Sequence, residues 1–423
     1  MKSPRLLLAG FTLGLLLIIS FVLDCRNVRA GGTIDFRNRI TGTRVFQMGQ
    51  DPYHYKWNAN EPPELCDPYN NPALPISKVT VTPTLLMLNL PLAPLAYRGA
   101  QFMWLTIQWI LLLGTGYVWW NVISPLWKRW LWAFAIAGFT YTVAWRHHTD
   151  RGQAYVLMVF LLSCWFAIIR TEKFKNSIWG GMLVGLLVAL RPPLLLILMP
   201  YQALRCRKQL LGSLVGLVLF VGMPMLWNAS SWKQYQSGME TWSQLYRDGN
   251  HNPRPPAQAF PAEIEGVPLD VLGHFGNVPF ADTSIFAFFR SFGINSIPAL
   301  PVALFLASVM ALWFWHSRNK SENSLLIGMG AWTFLIDLFL PAYRNSYTDV
   351  MILNLAALLI VYQRDSLTRM LLAAWPLGWL INAMLPGQKW IINLPTVIMI
   401  AVAVVALLKS LVSNYPPSSA VVK

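Results

Sequence analysis

Residues 6–23 read LLLAGFTLGLLLIISFVL, an unbroken apolar run of 18 residues behind Lys2 and Arg5. At about 1.5 Å of rise per residue, a helix of this length comes to about 27 Å, close to the hydrocarbon thickness of a bilayer. Val28 and Ala30 resemble a leader cleavage site. The run nevertheless exceeds the roughly 7–15 apolar residues usual in a secretory leader, so a retained first transmembrane helix is expected. Either reading puts the loop that follows outside the cytoplasm.

Comparable runs recur to the end of the chain. Of its 423 residues 55% are hydrophobic and 12% charged, and the mean hydropathy is +0.44. These values exclude an ordinary soluble domain and predict an all-α polytopic membrane protein, a single membrane-embedded domain over 1–423. The net charge of +15 sits in short links between apolar runs. That pattern suits lipid headgroups and topology, and no nucleic-acid partner is expected. Placing Lys128, Arg129, Arg170, Lys173, Lys175, Arg205, Arg207, Lys208, Arg318, Lys320, Arg364, Arg369, Lys409 and Lys423 inside gives about twelve crossings with both termini cytoplasmic. After the first, these fall near 101–121, 130–145, 153–169, 177–190, 192–204, 209–227, 297–316, 324–341, 350–363, 370–385 and 391–409.

Two large outer loops remain, 24–100 and 228–296. Within the first, residues 81–97 carry three prolines, and they suit either a helical hairpin with 101–120 or an interfacial or re-entrant piece. The second opens on SSWKQYQSGMETWSQLYRDG, an amphipathic helix pattern. No internal repeat of the transporter kind is visible. Cys25 and Cys66 both fall in the first outer loop, where a disulfide could form, whereas Cys164 and Cys206 are expected as free thiols.

The first loop also holds TIDFRNRITGTRVFQMGQDPY, residues 33–53, a charged helical passage stopped at Gly49. Asp35 near its head can be an N-cap, a general base, or both. Asp51 and Tyr53, around Pro52, offer turn chemistry or substrate contact. His147 and His148 precede Asp150 in another outer turn, but adjacent residues rarely aim at one ion. A polar, sugar-facing turn is the better functional reading, and neither a metal nor a cofactor is indicated, although a divalent cation stays open. Asp337 lies within an apolar run four residues before Pro341, at either a cavity or the interface. His274 has no partner that sequence reveals, and the tryptophans at helix ends read as an aromatic belt.

Asp35-Phe36, Thr43-Arg44 and Gly49-Gln50-Asp51-Pro52-Tyr53, in that order, resemble the first outer loop of glycosyltransferase family 87. TPTLLMLNLPLAPLAYRGAQFMW (82–104), Arg151-Gly152-Gln153, Arg191-Pro192-Pro193 and PAYRNSYTD (341–349) are similar to later segments of that family. The polar stretch 38–43, with Gly42, departs from its usual aromatic pattern, and 58–77 is longer than expected. The resemblance implies a GT-C-type fold in a bacterial plasma membrane, with the active site facing outward. It implies a polyprenyl-phosphate sugar donor carrying mannose, another hexose or a pentose, a glycan or glycolipid acceptor, and inverting transfer with Asp35 as base. A polyprenyl phosphate needs cations, and the outer-face arginines are Arg37, Arg39, Arg44, Arg151, Arg191, Arg290 and Arg344. Arg191, Arg344, Arg37 and Arg151 are the expected donor-phosphate ligands, and Asp51, Tyr53, His147, His148, Gln153 and Tyr347 the expected substrate contacts. A lipid-linked sugar flippase or transporter, or a polysaccharide polymerase or ligase, is the competing reading.

Overall fold

The computed structural model describes residues 4–31, 33–68, 70–248, 282–294, 297–362 and 389–412. Helices and turns make up these residues, and no strand occurs among them. His274, the proline-rich part of the second loop and the crossing expected at 370–385 lie outside the described residues.

Among the described residues, five helices are long and apolar enough to cross a membrane: α1 (Pro4–Gly31), α4 (Tyr97–Val122), α10 (Arg207–Trp227), α13 (Ala299–Ser317) and α16 (Lys389–Val412). Each corresponds to an expected crossing. The other expected spans are shorter pieces: α5 (Leu126–Phe139), α6 (Val143–Arg151), α7 (Tyr155–Ile169), α8 (Ile178–Leu190), α9 (Leu195–Arg205), α14 (Glu322–Leu335) and α15 (Ile352–Tyr362). Their breaks have identifiable causes. Gly152 takes φ +64 between α6 and α7, which meet at 114°, and Pro192-Pro193 starts a 3-10 turn after α8.

Small residues bring the closest pair together. Gly181 and Gly185 of α8 face Gly212 and Gly216 of α10 so closely that an added Cβ on any of them would strike the partner's backbone. This is small-xxx-small packing, which lets helices approach through their backbones.

The loop regions differ from expectation in three ways. First, α1 continues to Gly31, so Cys25 is helical rather than in the loop, and Cys25 and Cys66 are separate free thiols, not a disulfide. Second, residues 81–97 do not pair with α4 as a hairpin of two spans, one of the alternatives that the sequence leaves open. Their helical part is α3 (Pro83–Asn89) and a 3-10 turn, buried and anchored by Thr84 Oγ1 donating to the Phe220 carbonyl. Third, α2 (Ile34–Gln47) has Thr33, not Asp35, at its N-cap position. The amphipathic helix does form, as α11 (Ser231–Arg247), and α12 (Ile285–Ser291) follows it among the described residues.

The bundle has two distinct ends. Lys128 Nζ donates to the carbonyls of Ile360 and Val361, Arg170 covers the Tyr362 ring, Lys175 pairs with Glu322, and Arg205 bonds the carbonyls of Arg318 and Lys320. Of the helices at this end, α7, α8 and α14 have their other ends at a cavity.

Candidate active site

The cavity has a volume of about 660 Å³. Its walls are α2, the strip 78–82, the α6–α7 break, the turn after α8, α11 and the segment 337–348. Five basic side chains (Arg39, Lys78, Arg151, Arg191, Arg344) and two acidic ones (Asp35, Asp337) line it.

The wall carrying Asp35 is set by backbone chemistry on two segments. Thr33 has φ 46, an unusual left-handed conformation for a residue with a Cβ. Its Oγ1 meets the Tyr97 hydroxyl at 2.9 Å and accepts from Gln101 Nε2 at 2.9 Å, while the Tyr97 hydroxyl donates to its carbonyl. These bonds fix where α2 starts. Asp35 is then the second residue of the helix, where the helix dipole favours a carboxylate, and Ile34, Asp35, Asn38 and Arg39 form its cavity face.

Gly152 supplies the opposite side. A Cβ there would lie 2.6 Å from Phe36 Cβ, and the Gly152 carbonyl accepts from Trp104 Nε1 at 2.8 Å. Glycine is therefore required twice, for its positive φ and for the close approach. With the break pressed onto Phe36, its neighbours reach the preceding residue of α2. Gln153 Nε2 donates to Asp35 Oδ2, and Arg151 Nη1 stands 3.7 Å from Oδ1. The Asp35 side chain remains 27% exposed, so a substrate hydroxyl can reach it.

The far wall holds two ion pairs. Arg191 pairs with Asp337, reaches the Tyr155 hydroxyl at 3.4 Å, and lies 4.8 Å over that ring. Arg344 is 2% exposed, donating to Asp349 at 2.9 Å and to Thr283 Oγ1 at 2.6 Å. Tyr347, whose ring lies 5.9 Å from that of Tyr155, completes this wall. Above it, Tyr235, Met239 and Trp242 of α11 recur at helical spacing on the cavity side, with Gln236, Glu240 and Gln244 exposed on the other.

Of the residues that sequence singled out, Asp35, Arg151, Gln153, Arg191, Arg344 and Tyr347 thus share one cavity. Others do not line it. Arg37 turns the other way, donating through Nε and Nη2 to the Cys66 carbonyl and covering the Tyr97 ring at 4.4 Å. Arg44 bonds the carbonyls of Glu64, Ala93 and Leu95, and Arg290 pairs with Asp282. Asp51 makes a turn, accepting from the Tyr53 amide and meeting His54, and Tyr53 packs against Gly238 and Tyr235. His147 Nδ1 meets Ser346 Oγ, whereas His148 Nε2 accepts from the Val156 amide. The two rings serve different partners. Among the described residues, no three His, Cys, Asp or Glu side chains gather for a metal.

Sequence reasoning missed Lys78 and the α11 residues as cavity lining. It did not pair Asp337 with Arg191.

Residues 80–341, more than half of the chain, match the model of Glycosyltransferase family 87. The matched span contains the α6–α7 break, the Arg191 turn, α11 and Asp337, while α2 with Asp35 precedes it. No curated protein and no solved structure gave a significant match.

Proposed function

The chain belongs to glycosyltransferase family 87, and on that premise we propose that it transfers a sugar from a polyprenyl phosphate to a glycan or glycolipid acceptor. The sugar is a hexose such as mannose, or a pentose. The fold is of the GT-C type, the protein sits in a bacterial plasma membrane, and the cavity opens toward the exterior.

The observation that carries this reading is Asp35 itself. An accessible carboxylate, oriented by Gln153 and Arg151, lies in a cavity lined by five basic side chains. In the reaction, the acceptor oxygen attacks the anomeric carbon as the carbon–oxygen bond to phosphate breaks. The hydroxyl proton passes to Asp35, and the bonding electrons leave with the phosphate. A positioned base of this kind contributes about 10²–10⁴-fold in rate, and cations beside the leaving group stabilise the charge that develops there. Because transfer is one displacement, the anomeric configuration inverts.

The test uses purified protein in detergent with synthetic polyprenyl-phosphate sugars and a membrane glycolipid extract as acceptor. The reading expects label to move to the acceptor with inversion, seen by NMR of the product. Retention of configuration would sink the mechanism. Passage of the intact lipid-linked sugar across vesicles, without transfer, would point to the flippase.

A further inference from the structure

Most cations expected to hold a donor phosphate already have protein partners. Arg191 is paired with Asp337, Arg344 with Asp349, Arg37 with a carbonyl, and Arg151 stands beside Asp35. Arg39 is different. It is 3% exposed and lines the cavity, yet its Nε and Nη2 have no hydrogen-bond partner among the described residues. Its guanidinium lies 5.3 Å from the Trp104 ring and 5.7 Å from the Phe36 ring, so aromatic faces hold the flat group while its bonding edge is unfilled.

A buried charge without a hydrogen-bonding partner is costly, and its persistence asks for a ligand. Burial pulls the Arg39 pKa down to about 10, with Asp35 acting in the opposite direction, so the side chain stays cationic at neutral pH. Nε and Nη2 together form the edge of a guanidinium that takes two oxygens of one phosphate. Lys78 lines the same cavity from the strip 78–82 within the first outer loop and makes no ion pair or hydrogen bond among the described residues. Burial lowers its pKa as well, while Asp67 and Asp35 raise it. Arg39 lies one helical turn beyond Asp35, on the same face of α2.

We propose that Arg39 and Lys78 form an anion subsite beside Asp35 that takes the phosphate of a lipid substrate. The inference rests on the reading of the cavity as a glycosyltransferase site. The phosphate comes from one of two sources, the polyprenyl phosphate of the donor or a phospholipid-type acceptor, and the probes tell them apart.

The experiment measures binding to the purified full chain by thermal shift in detergent. Farnesyl phosphate is compared with farnesol for the donor source, and lysophosphatidic acid with monoacylglycerol for the acceptor source. In the wild type at least one phosphorylated lipid binds about 10-fold or more tighter than its neutral twin, as expected for charge-assisted bonds. The pair that shows this preference identifies the source. Arg39→Gln and Lys78→Gln each remove most of the preference and leave binding of the neutral lipid unchanged. Lys78 is only half-buried, so its variant decides the matter should Arg39→Gln fail to fold. The proposal is overturned if the wild type shows no preference in either pair, or if the preference survives in either folded variant. Binding requires no sugar transfer, so an inactive protein leaves this result readable.

Discussion

The two ends of the bundle are both rich in cations, and they use them differently. At the end holding Lys128, Lys175 and Arg205, the cations bond backbone carbonyls at helix ends or Glu322, whose other oxygen accepts from the Tyr201 hydroxyl. Those contacts close helices. At the cavity end, Arg39, Arg151, Arg191 and Arg344 face a hollow, and the carboxylates among them are held by side chains from distant segments. The same residue types thus terminate structure at one end and frame a site at the other, with backbone carbonyls or an unfilled volume making the difference.

Arg344→Ala tests the comparison hardest. Its partner Asp349 is 1% exposed and would be left with Thr396 as its remaining hydrogen-bond partner among the described residues. Removing one member of a buried pair costs about 3–5 kcal/mol, so the variant should be scarce in membranes and unfold early in detergent. Arg344→Met combined with Asp349→Leu should recover part of that loss, because neither charge is then stranded.

Gln153→Leu should act on rate. It removes a hydrogen bond to the Asp35 carboxylate, worth about 1.5–3 kcal/mol, or roughly 10- to 150-fold in transfer, at unchanged abundance. Unchanged transfer would mean that Gln153 does not orient the base. Lys175→Ala, at the opposite end, should produce the smallest effect. Its pair with Glu322 is partly exposed, and loss of about 0–1 kcal/mol in stability with normal transfer is expected. A collapse of transfer there would erase the functional distinction between the ends.

Much of this was legible in the sequence, because glycine, proline and charge mark turns. Gly49, Gly152 and Pro192 were readable as breaks, and the charge count grouped Asp35, Arg151, Gln153, Arg191, Arg344 and Tyr347 on one side of the membrane. The structure brings those six to one cavity. What stayed hidden was helix register. Arg37 and Arg39 are two residues apart, which turns them about 200° from each other on a helix, and Arg39 shares the face of Asp35 while Arg37 does not. The i, i+4 spacing from Asp35 carried that signal, but only a known cavity face makes it usable. Asp51 and Tyr53 looked like substrate contacts because of their loop. Asp51 makes a local turn with Tyr53 and His54, but Tyr53 packs against Gly238 and Tyr235 of α11, far along the chain, a partner that local sequence could not supply.

Asp35→Asn is the most direct test of the central claim. Asparagine preserves size and keeps an oxygen for Gln153 to donate to, but it cannot take a proton at neutral pH. With the variant folded, present at wild-type abundance and supplied with the same polyprenyl-phosphate sugar, the turnover rate should fall by about 10²–10⁴-fold. Apparent affinity for the donor should change little. Full transfer activity in that folded protein would contradict Asp35 as the base.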